Sequence, residues 1–127
     1  MRIKIKLRLK YLMLTGLLFW FISACTYDTI LPKEQEVPDV VSFQNDIQPI
    51  FDINCNTAGC HNMGGIAPIL TSGNAWFNLV FFDYVDTLNA FGSLLYKKID
   101  GGSMTAFASD QDRAIILSWI EQGAKDN

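Results

Sequence analysis

The single histidine of this chain directly follows a cysteine, and a second cysteine stands five positions before that one, in Cys55-Asn56-Thr57-Ala58-Gly59-Cys60-His61. Two thiols and an imidazole in one short loop support three chemistries. Thiols add to the vinyl groups of a haem, and the adjacent imidazole is thereby delivered to one axial face of the iron. In an oxidising compartment the same two thiols pair as a disulfide. As zinc ligands the three residues need a fourth group, and structural zinc sites bring their ligands from two separated pairs. A disulfide accounts for the cysteines but leaves the adjacent histidine unexplained, so haem attachment is the leading reading. Four residues separate the cysteines where two are commonest, and Asn-Thr-Ala-Gly is small and flexible enough for the extra pair to bulge.

The elements that must position this loop read as short helices. Ser42 to Asn54 places Phe43, Ile47, Ile50 and Phe51 at helical spacing, with Ser42 or Asn45 as cap. Pro49 lies inside it, either in the first turn of a helix that starts late or as a kink in a longer one. Cys55 to Thr71, with three glycines and Pro68, reads as loop. Ser72 to Phe82 reads as a short helix with Trp76, Leu79 and Val80 inward, Tyr84 to Phe91 as a surface loop, and Ser93 to Ile99 as another short helix ended by Gly101-Gly102. In the last helix Ser109 and Asp112 form a variant capping box, Ile115, Ile116, Trp119 and Ile120 form the apolar stripe, and Gly123 is the stop. No alternating strand pattern occurs. The expected fold class is all-α, with helices and loops wrapped around one internal group.

Charge divides the chain sharply. Residues 1–24 hold five of the ten basic residues and none of the thirteen acidic ones, which leaves residues 25–127 with five against thirteen, a formal balance of −8. Such an acidic body repels nucleic acid and favours encounter with basic protein partners. The first 24 residues have the layout of a bacterial export signal: a cationic stretch, an apolar run, then small residues. Ile22-Ser23-Ala24-Cys25 resembles the lipobox of bacterial lipoproteins, which implies that Cys25 is lipidated and becomes the first residue of the mature protein. The apolar run is short of the roughly 20 residues that span a bilayer. Residues 26–41, with two prolines and no sustained period, read as a tether, so the expected division is signal peptide 1–24, anchor and tether 25–41, and folded domain 42–127.

From Ser42 to Lys125 the chain resembles the class I cytochrome c domain, in the form found in small bacterial lipoproteins. Phe51 stands where that family places the aromatic of its first helix. Ala67-Pro68-Ile69-Leu70 resembles the family's Gly-Pro-x-Leu, Met104 follows a glycine pair ahead of the last helix as the family's distal methionine does, and Ile116 and Trp119 match the positions that cross the first helix. Two departures stand out: Ile47 replaces the small residue usual at the helix crossing, and Thr105 replaces the proline that often follows the methionine.

The resemblance implies one covalently attached haem c on Cys55 and Cys60, with His61 and Met104 as the axial ligands of its iron. Pro68, whose carbonyl would accept from the histidine, and Leu70 would support the pocket. Met63 is a competing thioether, but two residues after His61 it is held on the histidine's side. With both axial positions filled, the implied function is one-electron transfer in an exported, membrane-anchored, non-enzymatic carrier or carrier subunit, facing the periplasm or cell surface and meeting redox partner proteins. The alternatives are a haem-based gas sensor or small haem enzyme with a displaceable distal ligand, and a haem-free disulfide-bonded structural lipoprotein.

Overall fold

Pro49 decides how the first helix is built. The computed structural model describes residues 36–127 together with Ile5 and Met13; the rest of the expected signal peptide, and Cys25 with its expected lipidation, lie outside the described residues. A proline nitrogen cannot donate to the carbonyl four residues back, so a regular helix from Ser42 onward would lose a bond at Pro49. The chain instead begins with a wider π turn, Phe43–Ile47, capped by Ser42, whose Oγ accepts from Asn45 N–H at 3.2 Å while Asp46 accepts from Ser42 N–H at 2.8 Å. The α-helix α1 then starts at Gln48 and runs Gln48–Asn54, with Pro49 in its first turn where no intrahelical donor is needed.

Three further helices follow: α2, Ala75–Phe81; α3, Leu94–Ile99; and α4, Asp110–Glu121. There is no strand among the described residues, so the fold is all-α. Helix α4 carries the expected capping box, in which Ser109 Oγ accepts from Asp112 N–H and the Asp112 carboxylate accepts from Ser109 N–H. It closes at Gly123, whose φ of +96° suits a residue without a Cβ.

The core joins the two ends of the domain. Phe43 stacks obliquely on Trp119 at 5.2 Å between ring centroids and on Phe51 at 6.4 Å, and all three are fully buried, as are Ile47, Ile116 and Ile120. Aromatic pairs at these separations add about 0.5–1.5 kcal/mol to what burial alone contributes. Backbone bonds seal the seam: Gln44 N–H donates to Asn127 O at 3.0 Å, and Val41 N–H to the side-chain oxygen of Gln122 at 2.9 Å. Val41 is buried and Val37 packs against the core, so the end of the segment read as tether rests on the domain, whose compact unit runs Glu34–Asn127.

The 84–91 segment is the expected surface loop, pinned by its own hydrogen bonds. Tyr84 O accepts from Leu95 N–H, Asp86 accepts from the amides of Leu88 and Asn89, and the buried Ser93 Oγ accepts from Asp86 N–H at 2.8 Å. In α2, Ala75 and Leu79 take the inner face, which turns Phe77 and Phe81 outward one helical turn apart. With Phe82 they form a stacked, half-exposed cluster on the surface and line no part of the main cavity. No helix among the described residues is long and apolar enough to cross a membrane.

Candidate functional site

Cys55 caps the C-terminus of α1, and the chain then folds back on itself so that the long Cys-Cys spacing is absorbed within one turn. Cys60 N–H donates to Thr57 O at 2.9 Å and His61 N–H to Cys55 O at 3.1 Å, with Gly59 at a φ of +82° making the reversal. A second turn follows, in which Ile66 N–H donates to Cys60 O at 2.7 Å and Leu70 N–H to His61 O at 2.7 Å. Gly65 permits this turn, since a Cβ there would stand 2.1 Å from Cys60 O.

These turns fix the histidine's chemistry. His61 Nδ1 lies 3.0 Å from Pro68 O and 3.0 Å from Ile66 O. Carbonyl oxygens only accept, so Nδ1 carries the hydrogen and donates to both. In the neutral ring Nε2 is then left with its lone pair free to coordinate. Leu70 is buried just beyond, its carbonyl accepting from Gln48 Nε2 at 3.1 Å. Gln48, itself buried, thus ties α1 to the loop after the histidine, a role no sequence pattern signals.

The residues of this loop face one cavity of about 400 Å³, lined almost wholly by apolar side chains. That is within the 300–1,000 Å³ of small-molecule and cofactor sites. Cys55, Cys60, His61, Pro68 and Leu70 form part of its lining, and so does Met104 from the segment between α3 and α4. Met63 is absent from the cavity; it is exposed, with its sulfur 3.9 Å from Asn74 Nδ2. Further lining comes from Ile50 and Phe51 of α1, Tyr84 before α3, Leu95, Lys98 and Ile99 of α3, Phe107 and Ala108, and Ile116 of α4. Of these, Ile50, Phe51 and Ile116 were legible as apolar positions at helical spacing; Tyr84 and Phe107 carried no periodic signal.

Met104 is set by backbone. Its N–H donates to Lys98 O at 2.9 Å and its carbonyl accepts from Phe107 N–H at 3.0 Å. Gly102 lets the segment lie against α3, where a Cβ would meet Lys97 O at 2.4 Å.

Both cavity cysteines are free thiols, half-buried. Burial in the apolar wall pushes Cys55 up from 9.0 to about 11, with repulsion from Asp112 and Cys60 adding to it. The folded chain keeps a proton that the unfolded chain gives up earlier, so this contribution to stability is intact below pH 9 and is lost as pH rises toward 11. In haem-free protein at pH 8, Cys55 is therefore expected to react with iodoacetamide about a hundredfold more slowly than in urea-unfolded chain, because the thiolate is the nucleophile. Alkylation kinetics read by peptide mass spectrometry check this.

Among the described residues no three His, Cys, Asp or Glu side chains gather as a group able to hold a metal ion. The donors that line the cavity are two thiols, an imidazole and a thioether. Comparison with protein families, with curated proteins and with solved structures finds no match to this chain.

Proposed function

We propose that this cavity binds one covalently attached haem and that the protein is a c-type cytochrome carrying single electrons. The observation that carries the reading is the set of groups lining one cavity: both thiols of the Cys-His motif, an imidazole whose Nδ1–H is held by Pro68 O so that Nε2 is bare, and a thioether from a distant segment. An apolar lining of the right size and a donor set of two thiols, one nitrogen and one soft sulfur fit a haem and suit a bare ion poorly. Cys55 and Cys60 would hold the group through thioethers, and His61 and Met104 would ligate its iron. When bound, haem iron supplies a reversible one-electron change.

The chain's own residues do the rest. Ile50, Phe51, Leu95, Ile99 and Ile116 exclude water and keep the site in a low dielectric, which limits the reorganisation that accompanies a change of charge. Pro68 and Ile66 hold the Nδ1 proton and with it the ring orientation. Burial raises the pKa of Cys55, which lowers its thiolate fraction and slows oxidation to a disulfide with Cys60 in the haem-free chain.

In this reading the protein is exported and anchored through lipidated Cys25, where multiple acyl chains, at about 0.8 kcal/mol per buried CH₂, give durable attachment. Its acidic body would meet redox partners with basic docking surfaces. The test is a pyridine haemochrome assay and a reduced-state optical spectrum of the membrane fraction from cells with haem-attachment machinery. Covalent low-spin haem is the expected result. High-spin haem would turn the reading to a sensor or enzyme, and no haem to a disulfide-bonded structural lipoprotein.

A further inference from the structure

We infer that Arg113 is a positioning residue that braces the Met104 segment at both of its stems. The inference rests on the haem reading for its purpose, but the brace is a property of the polypeptide. The segment from Asp100 to Ser109 leaves the end of α3 and returns to the start of α4. Its own backbone bonds hold Met104 only toward α3 and within a short 3-10 turn, Thr105–Phe107, and Thr105 brings none of the stiffness a proline would supply there. Flexible loops of this kind open locally at low free energy unless something spans them.

Arg113 spans it. The residue is the fourth of α4, and a helical side chain leans toward the N-terminus of its own helix, here over the segment's returning end. Its guanidinium donates through Nη1 to Ala108 O at 2.5 Å and pairs through Nη2 with Asp110, so one side of the fork holds the returning stem. Nε lies 3.8 Å from Asp100 Oδ1, on the residue that caps α3 and begins the segment. Ala108 and Met104 both line the cavity, so this fork fixes the frame in which the thioether is presented. The guanidinium is also well shielded: the Arg113 side chain is 19 % exposed, against 54 % for Asp100 and 78 % for Asp110. A planar group with five donors in fixed geometry can hold two stems at once, which an ammonium point charge cannot.

A purely local role, as an i, i+3 pair with Asp110 inside α4, makes a different prediction from a brace across the segment. The experiment compares Arg113→Gln, Asp100→Asn, Asp110→Asn and the Arg113→Gln, Asp100→Asn double variant with wild type. The readout is the rate of Met104 oxidation by dilute hydrogen peroxide, measured by peptide mass spectrometry relative to Met63, which is exposed in the same molecule and serves as standard. The Met104 to Met63 ratio is expected to rise about fivefold in Arg113→Gln and two- to fivefold in Asp100→Asn, as loss of partly shielded pairs allows. The double variant should exceed Arg113→Gln by little, because both remove the same contact. Asp110→Asn should leave the ratio unchanged. An unchanged ratio in both Arg113→Gln and Asp100→Asn overturns the brace, as does a rise in all variants that tracks their urea midpoints. If Arg113→Gln does not fold, Asp100→Asn alone carries the test. Wild-type protein without haem would overturn the function proposed above while the oxidation ratio still reports on the brace. In haem-bearing protein the variants that raise the ratio should also weaken the sulfur-to-iron absorption band.

Discussion

Cys55→Ala combined with Cys60→Ala is expected to yield a protein from which acid-acetone extracts all haem, whereas haem stays with the wild-type polypeptide. The physical reason is that the proposed covalent links run through these two sulfurs, and both thiols line the cavity. His61 stays in place in this variant, since its ring is held by Pro68 and Ile66 and its amide by Cys55 O, none of which involves a sulfur. A residual, extractable haem held by imidazole and apolar burial is compatible with the proposal. Haem that resists extraction from the double variant would show that attachment runs through another group. Each single variant should retain one link, so extraction resistance with a shifted haemochrome band is expected for both. His61→Ala should give little haem-bearing protein, because the apolar wall then offers no strong iron ligand opposite the methionine.

The all-α class was legible because its signals are local. The capping box of α4 and its stripe at Ile116, Trp119 and Ile120 follow from a 3.6-residue period and from side-chain oxygens that satisfy the first amides of a helix. Pro49 was ambiguous from sequence for an equally local reason: whether a proline starts a helix or kinks one depends on how the chain before it bonds, and here a π turn precedes a helix that starts late, with Pro49 in its first turn. Phe77, Phe81 and Phe82 show the limit of composition. Their size argues for burial, but α2 has only seven residues and one inner face, and Ala75 and Leu79 occupy it.

The site divides in the same way. Cys55, Cys60 and His61 are adjacent in sequence, so their meeting needs no tertiary argument. Pro68 and Met104 entered through resemblance to a family, and the fold brings each to the same cavity, with Pro68 O at 3.0 Å from the histidine nitrogen. Tyr84, Lys98 and Phe107 reach the cavity only because the 84–91 turn docks on α3 and the 100–109 segment folds back over it. Arg113 is the plainest case of what sequence hides. As one of only five basic residues after position 24 it reads as a solvated charge, and its partners Asp100 and Ala108 become neighbours only when the segment carrying Met104 closes.

Met104→Ala is expected to keep its haem and change what that haem does. The attachment groups lie in the 55–61 loop, in a different segment of the chain from Met104 and tied to α1, so extraction resistance should match wild type. The thioether is a soft, weakly donating ligand that favours the reduced state, and its removal should lower the reduction potential and leave one axial position to water or exogenous ligands. Met63 cannot replace it, because it lies exposed beside Asn74 and outside the cavity. Alanine removes most of the side chain from a half-buried position and leaves the segment's backbone bonds to Lys98 and Phe107 intact, so the loss of folding stability should stay near the low end of the roughly 2–5 kcal/mol seen for buried methionine truncation. Three measurements read the outcome: the weak sulfur-to-iron band of the oxidised protein should vanish, the midpoint in a redox titration should fall, and the reduced variant should bind carbon monoxide that the wild type excludes. Wild-type protein that already binds carbon monoxide, with a variant indistinguishable from it, would make Met104 a filler of the cavity wall and place the gas-sensing or enzymatic reading ahead of electron transfer.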